Sequence, residues 1–92
     1  MPSDELHIAS LVVHATPRHL TAVAQAVASI PDAKIHATSA NGKLVVTLEA
    51  PTGEAMTRKV ADIQRIDGVL SAALVYQCVD TLDAMNEEIP DA

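Results

Sequence analysis

Apolar positions along this chain follow two alternating periods. From His7 to Ala15 the sequence reads HIASLVVHA, rich in aliphatic and β-branched residues that pack well on a pleated surface, and this predicts a strand. Thr16 and Pro17 predict a helix start. A threonine hydroxyl can take up free N–H groups, and proline's missing N–H has no partner at the first helical position in any case. Leu20, Val23, Ala24 and Val27 follow at i, i+3, i+4 and i+7 on one helical face, and Pro31 is expected to stop the helix. AKIHATS predicts a short second strand. Ala40–Asn41–Gly42 predicts a tight turn with Asn and Gly at positive φ, and KLVVTLEA a third strand. After Pro51, Thr52 is placed as a cap and Glu54 lies near the positive end of a helix dipole. Met56, Val60, Ile63 and Ile66 form the apolar stripe of this second helix. Arg65 sits in its last turn, and Gly68 suits the left-handed position beyond it. VLSAALVYQC predicts a fourth strand.

The order is β-α-β-β-α-β. Two βαβ units joined by a hairpin predict an α+β fold, the ferredoxin-like βαββαβ sandwich. Right-handed crossovers place both helices on one face of a four-stranded antiparallel sheet, with strand order 4-1-3-2. Residues 1–79 form a single domain in this reading. Residues 80–92 form an acidic C-terminal tail, loose or weakly docked through Leu82 and Met85.

Alternation along a strand assigns the two sheet faces. Leu44, Val46 and Leu48 are uniformly large and apolar and are expected under the helices. Leu11, Val13, Leu70 and Leu74 join them, with Tyr76 as a further candidate. The opposite set is Ser10, Val12 and His14; Val45, Thr47 and Glu49; Ala73, Val75 and Gln77. That face is apolar at its centre and polar towards its ends, and the chain has no third layer left to cover it. Such a face is a candidate docking surface. The pattern alone leaves three readings open: docking of another protein, self-association, or an ordinary solvated face.

Composition narrows the chemistry. Ninety-two residues make one small domain. One Tyr and no Phe or Trp leave the core to Val, Leu, Ile, Ala and Met. A mean hydropathy of +0.21 is that of a globular chain rather than a disordered one. The formal net charge of −6 repels phosphate backbones and favours a cationic partner. RNA-binding members of this fold stack bases on strand aromatics, whereas the central strands here carry Val12 and Val45. The single cysteine, Cys78, excludes an internal disulfide and any CxxC site. No secretory signal opens the sequence and no apolar run is long enough to span a membrane. The expected location is cytoplasmic.

Four histidines raise a metal site. His7 and His14 are an odd number of positions apart and point to opposite faces. His14 and His36 share a face but lie about 9–10 Å apart across the third strand, too far for one zinc ion. His19 starts a helix. No metal or cofactor is expected. Cys78 has no neighbouring base, and Glu87 and Glu88 read as solvating tail residues. An enzyme is therefore disfavoured, with His14 the one weak acid–base candidate.

SLVVHA near the start, NGKLVVTLEA in the middle and IDGVLSAALVYQ near the end together resemble the NapD family, over roughly residues 8–79 in the same order. The resemblance implies a cytoplasmic chaperone of ferredoxin-like fold. Its partner would be the twin-arginine signal peptide of the catalytic subunit of the periplasmic nitrate reductase. Binding would restrain export until the molybdenum cofactor, bis-molybdopterin guanine dinucleotide, is inserted. The peptide would lie on the open sheet face. The charge pattern of this sequence, and not the family, suggests Glu49 with an acidic neighbour such as Asp80 or Asp83 as the groups to meet its arginines. Neither a cofactor nor an enzymatic activity is implied for the chaperone itself. The alternative from another class is a regulatory or structural module that homodimerises through its sheet face.

Overall fold

β1 (Glu5–Ala15) is the spine of the molecule. In the computed structural model, which describes residues 5–81, a 3₁₀ turn (Pro17–His19) and α1 (Leu20–Ala28) follow it. Then come β2 (Ala33–Thr38), β3 (Lys43–Ala50), α2 (Gly53–Gln64) and β4 (Val69–Thr81). The sheet order is β2-β3-β1-β4 with every pairing antiparallel, the predicted order read from the other edge. β4 runs through Asp80 and Thr81, past the point where the tail was expected to begin. The expected contacts of Leu82 and Met85, and the positions of Asp83, Glu87 and Glu88, lie outside the described residues.

The core is one aliphatic layer. Leu11 and Val13 from β1 and Leu44, Val46 and Leu48 from β3 have no exposed surface. Val23 and Val27 of α1 and Met56 and Ile63 of α2 close over them, so both helices lie on one side of the sheet. Each such side chain contributes about 1.5–3 kcal/mol by leaving water.

The helix starts differ from each other. Thr52 caps α2 as expected, its Oγ1 accepting from the Ala55 N–H at 3.0 Å. Thr16 caps nothing with its hydroxyl, which is engaged with His19 Nδ1 at 2.6 Å. The chain therefore enters α1 through a tighter turn. α1 also ends before Pro31, at Ala28, where the Ser29 hydroxyl donates to the Ala26 carbonyl at 2.7 Å.

In the β2–β3 turn only Gly42 takes a positive φ, of 101°; Asn41 does not. The Gly42 N–H donates to the Ser39 carbonyl at 3.0 Å and the Ser39 N–H to the Lys43 carbonyl at 2.9 Å. This is a longer loop with one left-handed residue rather than the two-residue form expected from Asn-Gly. The Gly42 carbonyl also accepts from the Ala15 N–H at 2.7 Å, tying the turn to the end of β1.

Lys59 is a link that sequence patterning does not show. Its Nζ donates to the Pro31 carbonyl at 2.7 Å and the Glu49 carbonyl at 2.9 Å, and lies 3.7 Å from Asp32 Oδ2. It joins α2 to the end of β3 and to the loop before β2, where Asp32 itself has φ 63°.

A Cβ at position 42 would stand 2.0 Å from the Ala15 carbonyl oxygen, whereas one at Gly53 would meet only the His7 ring at 3.6 Å. Gly42→Ala is expected to lower unfolding free energy by more than about 1 kcal/mol in urea titrations, and Gly53→Ala to change it by less than about 0.5 kcal/mol.

Candidate functional site

The even-numbered residues of β1 point away from the helices. Val12 sits at the centre of this face, opposite Val45 on β3 and Ala73 on β4, with Ala37 of β2 beyond Val45. One row along, Ser10 lies between Thr47 and Tyr76; the next row holds Ile8 between Glu49 and Cys78. At the other end His14 lies between Lys43 and Ser71. Val45 is 40% exposed although it sits in the middle of the sheet, because among the described residues no element covers this side.

Ser10, Val12, His14, Val45, Thr47, Glu49 and Ala73 thus share the face on which alternation placed them. Gln77 does not. Along β4, Leu74 pairs with Leu11 but Tyr76 pairs with Ser10, so Val75 is an extra residue in a β-bulge. Beyond it the alternation inverts. Gln77 falls opposite buried Ala9, on the helix side, and lines the recess formed with Met56 and Val60 of α2. Tyr76, expected under the helices, moves to the open face and is 59% exposed. Val75 is itself the bulge residue, 60% exposed. A second irregularity, where His14 pairs with Ser71 and Ala15 with Val69, leaves Leu70 as another extra residue. It is exposed rather than packed under the helices. Leu74 keeps its predicted side but stays half exposed, at the edge strand.

Among the described residues, five of the six large hydrophobic residues found exposed belong to β4: Leu70, Leu74, Val75, Tyr76 and Val79. Strictly alternating sequence would have marked some of these positions as outward. VLSAALVYQCV is apolar on both sides and carries no such mark.

The polar groups of the face are tied to one another. His14 Nδ1 pairs with the Ser71 hydroxyl at 3.2 Å and His36 Nε2 with the Thr47 hydroxyl at 2.8 Å. Both imidazoles therefore brace neighbouring strands. No three His, Cys, Asp or Glu side chains converge as a metal-binding group among the described residues. A recess of about 450 Å³ opens at the β2 margin between Ile8, Lys34, His36, Thr47 and Glu49. On the helix side, a groove of about 640 Å³ runs between the start of α2 and β4. There His7 bonds Glu5 through Nε2 at 3.2 Å, while its Nδ1 is buried and unpartnered. No helix among the described residues is long and apolar enough to cross a membrane.

Comparisons with known proteins converge on one family. The family model described as NapD protein matches residues 6–81. The protein named Chaperone NapD of Haemophilus influenzae is 30% identical over 71 residues, 76% of each chain. The solution structure of the E. coli Tat proofreading chaperone protein NapD superposes with a TM-score of 0.75 at 25% identity, covering 100% of this chain and 94% of that one. Both relatives are named as chaperones, neither as an enzyme.

Tyr76 reports on the chemistry of this surface. Its interaction with the side chain of Cys78, reinforced by that thiol's negative charge once ionised and by Asp80, holds the phenol above the ordinary tyrosine pKa. Because this is the chain's single tyrosine, absorbance titration reads it directly. Ionisation is expected above the normal midpoint, and Cys78→Ala is expected to move the midpoint back down.

Proposed function

Because the chain belongs to the NapD family, we propose that it is a signal-peptide chaperone. Its open sheet face receives the twin-arginine signal peptide of the periplasmic nitrate reductase catalytic subunit in the cytoplasm. Export is restrained until the molybdenum cofactor has been inserted. The observation that carries this reading is the uncovered sheet centre, Val12 with Val45 and Ala73, bounded by polar ends. An apolar helix can lie across such a surface, as amphipathic helices lie in apolar grooves. The identity of the E. coli relative, a Tat proofreading chaperone, supports it. So does the acidic chain, since a twin-arginine segment is cationic and charge complementarity speeds encounter. The correction on β4 alters the surface offered: Tyr76 and Cys78 replace Gln77 beside Ser10 and Ile8.

Self-association through the same sheet is the second reading. The exposed apolar residues of β4 favour it, and it predicts a dimer mass in sedimentation that falls when peptide is added.

Calorimetric titration with the signal peptide tests the first reading. Joint replacement Val12→Lys and Val45→Lys is expected to abolish binding while circular dichroism stays native, since both side chains already touch solvent. Gln77→Ala is expected to leave affinity unchanged. Affinity should also weaken as salt rises, through screening of the arginine contacts. Undiminished binding by the double-lysine variant would place the peptide elsewhere.

A further inference from the structure

The open face is not electrostatically uniform along β1. Near its start Glu49 stands opposite Ile8, and Asp80 stands opposite Leu6 on the other flank. Two strand spacings and two residues of rise put these carboxylate-bearing positions about 12 Å apart. Near its end Lys43 stands opposite His14. Between them the row of Ala37, Val45, Val12 and Ala73 carries no charge. Lys34, opposite Thr47, belongs to the β2 margin and not to the track over β1.

Resting on the reading of this face as a signal-peptide site, the geometry points to a single orientation of the bound peptide. Its basic head lies over Glu49 and Asp80, and its apolar stretch runs along β1 across Val12, Val45 and Ala73 towards His14 and Lys43. Length supports this arrangement. From the Ile8 row to the His14 row the strand rises about 20 Å. A helix of about 13 residues spans that distance, within the 7–15 residues typical of a signal peptide's apolar region. Charge decides the direction. The reverse arrangement brings arginines against Lys43 and covers the Glu49 carboxylate with apolar side chains. Like charges then repel, and a carboxylate loses water without gaining a partner. In the orientation assigned, arginine and carboxylate form charge-assisted hydrogen bonds.

The test uses the full chain, isotope-labelled, and a synthetic peptide of an Arg-Arg head followed by about a dozen Leu and Ala residues. A nitroxide label is placed at one peptide end or the other. The label at the basic end is expected to broaden the amides of Ile8, Glu49 and Asp80; the label at the apolar end, those of His14, Lys43 and Ser71. The reversed pattern, or equal broadening of both sets by each label, overturns the orientation and leaves the sheet-face site standing. Broadening confined to α1 and α2 overturns the site itself, and the orientation with it. As an independent measurement, Glu49→Lys is expected to weaken binding about tenfold and Lys43→Glu not to weaken it. A peptide with Glu-Glu in place of Arg-Arg should regain affinity for the Glu49→Lys variant. Equal affinities for wild type, Glu49→Lys and Asp80→Lys would overturn the proposal.

Discussion

Among the described residues two helices cover one side of a four-stranded sheet and no element covers the other, and the rest of the structure follows from that limit. The side chains most costly to expose are Leu11, Val13, Leu44, Val46 and Leu48, and α1 and α2 are committed to sealing them. With no aromatic residue in that layer, closure depends on close contact between many small branched side chains, whose individual dispersion gains are slight and whose sum is large. Lys59 contributes at the perimeter, holding α2 onto two neighbouring segments by donating to the Pro31 and Glu49 carbonyls. Nothing among the described residues remains for the second side. Val12 and Val45 stay partly in water because every other described element is committed to the opposite side or to the sheet itself.

The uncovered side is centred on the most extensively paired strand of the sheet. β1 is hydrogen-bonded along both edges, to β3 and to β4, so Ser10, Val12 and His14 are held by two neighbours at once. The cross-strand bonds of His14 to Ser71 and of His36 to Thr47 add ties at the periphery. A partner landing there meets a surface that needs little ordering, and preorganisation of this kind lowers the entropic cost of association. The affinity available to an aliphatic surface with few polar anchors is correspondingly unspecific in its apolar part. On the proposed reading, discrimination would come from the charged residues at the two ends.

The sequence made the central strands legible because each pairs a solidly apolar row with a mixed one. Leu44, Val46 and Leu48 against Val45, Thr47 and Glu49 admit only one inward side. The cap at Thr52 and the left-handed glycines were legible for the same reason: the residue type and the backbone requirement coincide. β4 was not legible past its middle. A bulge adds one residue without any chemical mark, and both sides of this strand are apolar, so counting by twos carried Gln77 to the wrong side and hid Tyr76. The turn at Gly42 and the start of α1 failed for a related reason. Asn41 and Thr16 were assigned the roles their types favour. In the folded chain Gly42 alone supplies the unusual backbone, and His19 competes for the threonine hydroxyl.

The bulge at Val75 has a further consequence for how such a chain tolerates changes in length. Leu74 and Tyr76 already face successive residues of β1, Leu11 and Ser10, so the ladder reads continuously across the gap. Removing Val75 would close a loop in the strand and leave every later pairing where it is. Away from Val75 and the second bulge residue, Leu70, the loss of one residue from β4 would rotate the remainder of the strand by half a turn and exchange its two faces. The strand that contributes most of the large exposed apolar side chains among the described residues therefore contains two positions, Val75 and Leu70, at which a codon can be gained or lost without rewriting the surface beyond it.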